Sequence, residues 1–461
     1  MRDPARAGGK TSLFLWLCWL YTCIHFDRST LGVLADSIKA EFHLDDAALG
    51  LLTGSAFSIV YALLGLYFGR IADHSQRLRL TIAGAWIWSL ASVCGGLAPN
   101  AAVLLLSRAG IAAGEGVATA AAVSLMAELA GERWRARASS VFFASAFLGA
   151  GLATLVGGLL LTISHSWRLA LILAGLPGIV GALALQGRHE PPRQSAQRPA
   201  DVRGSMLAML AIASVTAVVL QIALPSGLGL ACALAVALCA GLSWAYRLDR
   251  AAFAATLGQP SFRCLLAGYA ALLFVDYAAS FWLLPFAHRK FGLTGAVIGA
   301  HLGILTIAGG VAGCLLGGSL ADRRPDTAAR DRIRVTSLCV ALEAAAMLAA
   351  IYSRSYAGFL VAFAIFCLAS GGWTGLAAAI GFDTVPAAHR GTGIAAYFLV
   401  TTLFGTGLGS FVVGRINDAQ GSLTTALLYC SPAYLVTLVA LRWLEGPGRR
   451  VAGLSRGKDA T

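Results

Sequence analysis

The feature that most constrains this chain is a succession of apolar runs, most of them near or above the roughly 20 residues a helix needs to cross hydrocarbon. In lipid each backbone N–H and C=O must be satisfied within the protein, so runs of this length point to transmembrane helices. They fall at 12–36, 46–69, 79–98, 102–127, 138–162, 167–186, 205–222, 226–246, 261–286, 294–320, 333–351, 356–381, 392–416 and 423–443. The expected fold class is an all-α polytopic membrane protein with 14 spans. Charged residues are only 12% of the chain, about half the usual share of a soluble protein. Mean hydropathy is +0.74.

Two polar stretches punctuate the series. The Pro- and Arg-rich segment 187–204 follows the sixth run, and a weaker linker covers 247–260. The expected organisation is a six-helix bundle over 1–186, linkers with an inserted two-helix hairpin over 187–260, and a second six-helix bundle with a basic tail over 261–461. An internal repeat supports it. Gly69-Arg70-Ile71-Ala72-Asp73 returns as Gly318-Ser319-Leu320-Ala321-Asp322, an offset of 249 residues, and the same offset carries Asp27 onto Asp276 and Gly54 onto Gly303. That spacing exceeds a six-span half, and an inserted pair accounts for the excess while keeping both halves in one orientation.

Charge placement sets the orientation. With the N-terminus inside, 27 of the 35 Lys and Arg residues fall in cytoplasmic segments, as the positive-inside rule requires. The net charge of +13 is therefore assigned to gaps facing an anionic bilayer and not to nucleic acid. Both termini are expected in the cytoplasm. The ten cysteines lie in or beside apolar runs without ladder or paired spacing, so they read as small buried hydrophobes, with no metal site and no disulfide framework.

Few charges enter the runs. Asp27 and Arg28 lie in the first, Arg108 and Glu115 in the fourth. Arg108 and Glu115 are seven residues apart, on one helical face, roughly 9 Å and 20 Å from the external end. A buried Arg108 needs a carboxylate, and Asp27 is at a compatible depth. Glu115, poorly solvated, is the residue expected to change protonation as its partner moves or is taken by an anionic head group; a static ion pair is the plainer alternative. Arg28 has an outward-reaching alternative along the helix. Asp276 repeats Asp27 but has no arginine equivalent to Arg108, leaving coupling and hydrogen-bonded structural roles both open. His301 reads equally as a head-group or proton site and as a core histidine. Glu343 lies mid-membrane with no evident partner. A second set, Gly69, Asp73, Arg77, Asp322, Arg323 and Asp383, reads as a cytoplasmic gate, with topological anchoring as the alternative. No HExxH or spaced Cys/His set occurs, so the machinery of a membrane enzyme is missing.

These residues resemble the major facilitator superfamily. Gly69-x-Ile71-Ala72-Asp73-x-x-Gln76-Arg77 is similar to its loop motif after the second span, with Gln76 in place of the usual glycine. Gly318-Ser-Leu-Ala-Asp322-Arg323 resembles the second-half copy. Phe26-Asp27-Arg28, Leu49-Gly-Leu-Leu-Thr-Gly54 and Arg108-x-Gly110-x-x-x-Gly114-Glu115 resemble a bacterial member of the spinster branch. The resemblance implies the major facilitator fold: two six-helix bundles, here with the inserted pair, working by alternating access. It also implies a cavity in which Asp27, Arg108 and Glu115 face substrate and coupling ion. Characterised relatives move lysophospholipids or sphingoid phosphates. The expected function is a proton-coupled secondary transporter of an amphiphilic, possibly anionic solute, with a drug or metabolite exporter as the alternative and an enzyme or receptor disfavoured. The expected partners are that small substrate and membrane lipids. The protein is expected to act as a monomer without a cofactor, with H+ as the coupling ion.

Overall fold

The computed structural model describes residues 4–72, 75–190, 227–248, 250–321, 328–385 and 390–446. Among them, 11 helical stretches are long and apolar enough to cross a membrane. In chain order the longer helices are α1 (Pro4–Phe42), α2 (Asp46–Phe68), α3 (Arg77–Gly96), α4 (Ala101–Met126), α5 (Ala138–Ser164), α6 (Trp167–Leu185), α7 (Gly227–Leu248), α8 (Pro260–Phe291), α9 (Gly295–Ala321), α10 (Ala328–Tyr352), α11 (Tyr356–Thr384), α12 (Ala396–Gln420) and α13 (Leu423–Glu445). The chain is all-α and polytopic.

Local chemistry marks the ends. Asn100 caps α4, its side chain accepting from Val103 N. Ser355 caps α11 in the same way through Gly358 N. Each satisfies an orphan donor of the first turn. Gly292, with φ of 64°, ends α8 in the left-handed conformation that glycine adopts without a Cβ clash. The backbone from Ala101 to Ser164 is helical throughout, yet α4 and α5 run side by side. Arg108 lies 3.4 Å from Asp27, and a Cβ on Gly149 would stand 2.9 Å from Phe26 N. In a straight helix the 41 residues from Arg108 to Gly149 would span roughly 60 Å. The chain therefore doubles back between them.

Helices α1 to α6 pack as one group and α8 to α13 as another. The groups meet along two seams. In the first, α5 lies against α9 through small residues: a Cβ on Gly299 would meet Thr154 O at 2.6 Å, and one on Gly303 would meet Gly151 O at 2.6 Å. Absent side chains let the backbones approach closely where no hydrophobic force draws helices together. In the second, π-helical stretches face each other, Leu51–Ser55 in α2 and Thr401–Thr406 beside it in α12. Ser55 Oγ donates to Gly407 O, and Ser58 and Thr406 hydroxyls are 2.6 Å apart.

Of the expected hairpin, 205–222 lies outside the described residues. The run at 226–246 is helical, as α7, and α7 covers the second seam. Leu230, Ala233, Leu234 and Ala237 share a buried cluster with Ile59 and Leu63 of α2 and Leu399 and Leu403 of α12.

Candidate functional site

A cavity of about 350 Å³ lies between the two groups, lined from α1, α2, α4, α5, α8, α9, α11 and α12. That is within the range of small-molecule sites. Its walls alternate aromatic rings with hydroxyls, and two guanidiniums face it, Arg28 and Arg108.

The expected four-residue group is assembled, with one partner the sequence reading did not name. Arg108 Nη1 is 3.4 Å from Asp27 Oδ2, and both are buried. Ser92 Oγ donates to Asp27 Oδ1. Arg28 does not reach outward. Its Nε donates to Glu115 Oε2 at 2.5 Å, with its side chain 16% exposed and that of Glu115 fully buried. The Arg28 guanidinium also stacks 4.6 Å from the Phe57 ring and 4.5 Å from that of Tyr61, and Arg108 is 5.1 Å from Phe57. Two cations and two carboxylates give a group of zero net charge. The guanidiniums line the cavity, while Asp27 and Glu115 stand behind them, outside its lining. An anion entering the cavity meets cations first, and taking one up would free a buried carboxylate to bind a proton. One acceptor is already open, since Glu115 Oε1 is buried without a hydrogen-bond partner among the described residues.

The other wall carries Asp276, which accepts from Ser370 Oγ at 2.8 Å. Glu343, which the sequence left without a partner, has two: Trp373 Nε1 donates to Oε2 at 2.5 Å and Tyr434 OH to Oε1 at 2.8 Å. His301 is not brought to this group. It is exposed, 3.2 Å from Tyr356 OH through Nδ1.

Of the expected gate residues, Asp73, Asp322 and Arg323 lie outside the described residues. Gly69 and Asp383 lie in helical backbone, without described burial. Arg77 is buried and binds two carboxylates of its own helix group, Glu128 at 2.5 Å and Glu190 at 2.7 Å. An ionic tie between the groups occurs at the opposite end. Arg289 of α8 binds Asp46 at 2.9 Å and Asp36 at 2.8 Å. Asp46 also accepts from Lys39 and from Asn417, and the Asp418 carboxylate accepts from the Asp46 and Ala47 amides that begin α2. A carboxylate at a helix N-terminus complements the exposed N–H groups there. Sequence reasoning missed this tie because Asp46 and Asp418 are ordinary loop-end residues until the two helix groups meet.

Comparison with known proteins agrees with this architecture. The Major Facilitator Superfamily matches residues 17–410. An "MFS-type efflux pump" of Mycolicibacterium smegmatis is 28% identical over 421 residues, covering 90% of this chain and 86% of that protein. Mouse "Protein spinster homolog 1" is 30% identical over 195 residues, 41% of this chain and 37% of that protein. Among solved structures, the fold is similar to a bacterial homolog of the human lysosomal transporter Spinster in its inward-facing, unoccupied conformation. That likeness has a TM-score of 0.67 at 22% identity and covers 95% of this chain and 96% of the other. The chain belongs to the Major Facilitator Superfamily and is a membrane-embedded secondary transporter.

Proposed function

We propose that this protein is a proton-coupled carrier of an amphiphilic solute with an anionic head, such as a lysophospholipid or sphingoid-like lipid. The observation that carries the reading is the Arg28 and Arg108 pair lining an aromatic cavity with Glu115 and Asp27 held behind it. The guanidiniums bind the head group, the rings accommodate the chain, and the carboxylate released from Arg28 takes the proton. The amphiphile-compatible rings of the cavity support a lipid over a sugar.

In this reading two six-helix bundles, 1–186 and 261–461, rock about the cavity, with an inserted pair at 187–260 completing 14 spans. Both termini face the cytoplasm of a bacterial inner membrane, and one chain suffices. The Arg289–Asp46 tie then closes the external face, and its release opens it.

The test is transport in proteoliposomes of a lysophosphatidylcholine and a neutral drug, with and without a pH gradient. Gradient-driven lysolipid movement that weakens in Glu115→Gln is expected. Transport indifferent to both gradient and substitution would refute the coupling role. A second reading, export of a drug or small metabolite, is supported by the match to the mycobacterial efflux pump over most of both chains. It predicts that the neutral drug is carried as well as the lysolipid and that Arg108→Ala has little effect.

A further inference from the structure

Helices α10 and α13 pack side by side in opposite directions. Tyr434 donates to Glu343 partway along them, and Arg334 donates to Glu445 at one end. That end lies away from the Arg289 tie, because Lys290 donates to Ile351 O at the other end of α10. Each helix carries an outward stripe. On α10, Leu342, Leu338 and Arg334 follow at intervals of four, and on α13 Leu435, Val439 and Arg442 follow at four and three. Those spacings keep one helical face. Leu338 is 67% exposed, Leu435 64% and Val439 69%. In a membrane-embedded chain such aliphatic faces meet acyl chains, and here both stripes end in an arginine.

Between the arginines is an open groove of about 910 Å³, lined also by Ser337, Leu438 and Trp443. One carboxylate sets both guanidiniums. Glu445 accepts from Arg334 Nε at 2.7 Å through Oε1 and from Arg442 Nη1 at 3.0 Å through Oε2. Glu445 is only 16% exposed, whereas Arg334 is 58% and Arg442 82% exposed. Each guanidinium has five donors, so the edges not spent on Glu445 remain for a ligand. Asp331 stands 3.8 Å from Arg334 Nη1, beyond hydrogen-bonding distance. With Arg330 and Arg332 on the first turns of α10, four arginines stand against two carboxylates, and this end is net positive. The Trp443 indole suits the depth of lipid head groups. We propose that the groove binds one phospholipid of net negative charge, its phosphate between Arg334 and Arg442 and its acyl chains along the Leu342–Leu338 and Leu435–Val439 stripes. Two guanidiniums match the oxygens of a phosphate. A zwitterionic phospholipid brings the same phosphate, but its cationic end meets the surplus positive charge. The groove shares no lining residue with the central cavity, so this lipid is a bound ligand of the transporter and not its cargo. The inference needs only a membrane-embedded chain and is independent of the proposed cargo and coupling.

The experiment is native mass spectrometry of the full-length protein in neutral detergent, titrated with phosphatidylglycerol or with phosphatidylcholine of the same acyl chains. Wild type is expected to retain one phosphatidylglycerol under activation that strips phosphatidylcholine. Arg334→Gln with Arg442→Gln should weaken that retention by about tenfold or more, since two charge-assisted hydrogen-bonding groups are lost. Ser337→Glu, which sets a carboxylate in the groove and leaves both arginines in place, should weaken it too, and serves if the double variant folds poorly. Arg263→Gln removes an exposed charge at the same end of the molecule, on α8 outside the groove, and should bind as wild type does. Equal retention of the two lipids, or retention unchanged in both the double variant and Ser337→Glu, overturns the proposal. So does a loss in Arg263→Gln as large as in the double variant, which would mean diffuse charge attraction. Loss of the lipid in Arg108→Ala, with the groove variants unaffected, would assign it to the central cavity and overturn the proposal as well.

Discussion

Arg28 Nε lies 2.5 Å from Glu115 Oε2, so the first helix supplies the cation for a carboxylate of the fourth, while its neighbour Asp27 takes Arg108 from that same helix. Two ion pairs thus cross between α1 and α4 with opposite polarity. The arrangement keeps the buried group neutral and ties cavity-facing guanidiniums to buried carboxylates.

Removing one partner leaves the other charged and buried. Arg28→Ala is expected to destabilise the protein by about 3–5 kcal/mol, the usual cost of breaking a buried pair. Arg28→Ala with Glu115→Gln should recover much of that loss, because no uncompensated charge remains. Thermal unfolding of the detergent-solubilised variants checks both, and a double variant no more stable than Arg28→Ala would contradict the pairing.

Among the described residues, the tie at Arg289 joins the two helix groups at one end. Arg289→Ala should favour opening there. A cysteine introduced as Ser280→Cys, at a cavity-lining position, then reacts faster with an impermeant thiol reagent from the external side. A shift of about 1–2 kcal/mol changes the open population roughly five- to thirtyfold. Equal labelling rates with and without Arg289 would remove the tie from gating.

Along the α5–α9 seam, a side chain at Gly303 meets backbone, not a flexible tip, since its Cβ would stand 2.6 Å from Gly151 O and 2.9 Å from Leu155 N. Gly303→Val is expected to cost about 1–3 kcal/mol by overpacking and to reduce transport more than membrane insertion. Gly295→Ala on the same helix, where the added methyl meets nothing within 4 Å, serves as the control. Transport by Gly303→Val at the control's rate would show that the seam does not slide as a close-packed surface.

Helix α7 bridges α2 and α12, so its loss is felt by both groups. Leu234→Ala, at a buried position of the shared cluster, should lower stability by about 2–5 kcal/mol, the range for large-to-small core changes. An unchanged melting temperature would assign α7 to the periphery.

The sequence by itself determined that the chain is helical and membrane-embedded, because lipid leaves a long apolar run little alternative. It also placed Arg108 and Glu115 on one face, since helical periodicity fixes neighbours within a helix. It made Asp27 the natural partner of Arg108 from depth alone. What periodicity cannot reach is the rotation and tilt of one helix against another. That decided that Arg28 turns inward to Glu115, that His301 stands apart, and that Glu343 finds Trp373 and Tyr434 from 30 and 91 residues away. The Arg289–Asp46 tie belongs with these. It links residues 243 positions apart, and only the meeting of two independently packed helix groups brings them within hydrogen-bonding distance.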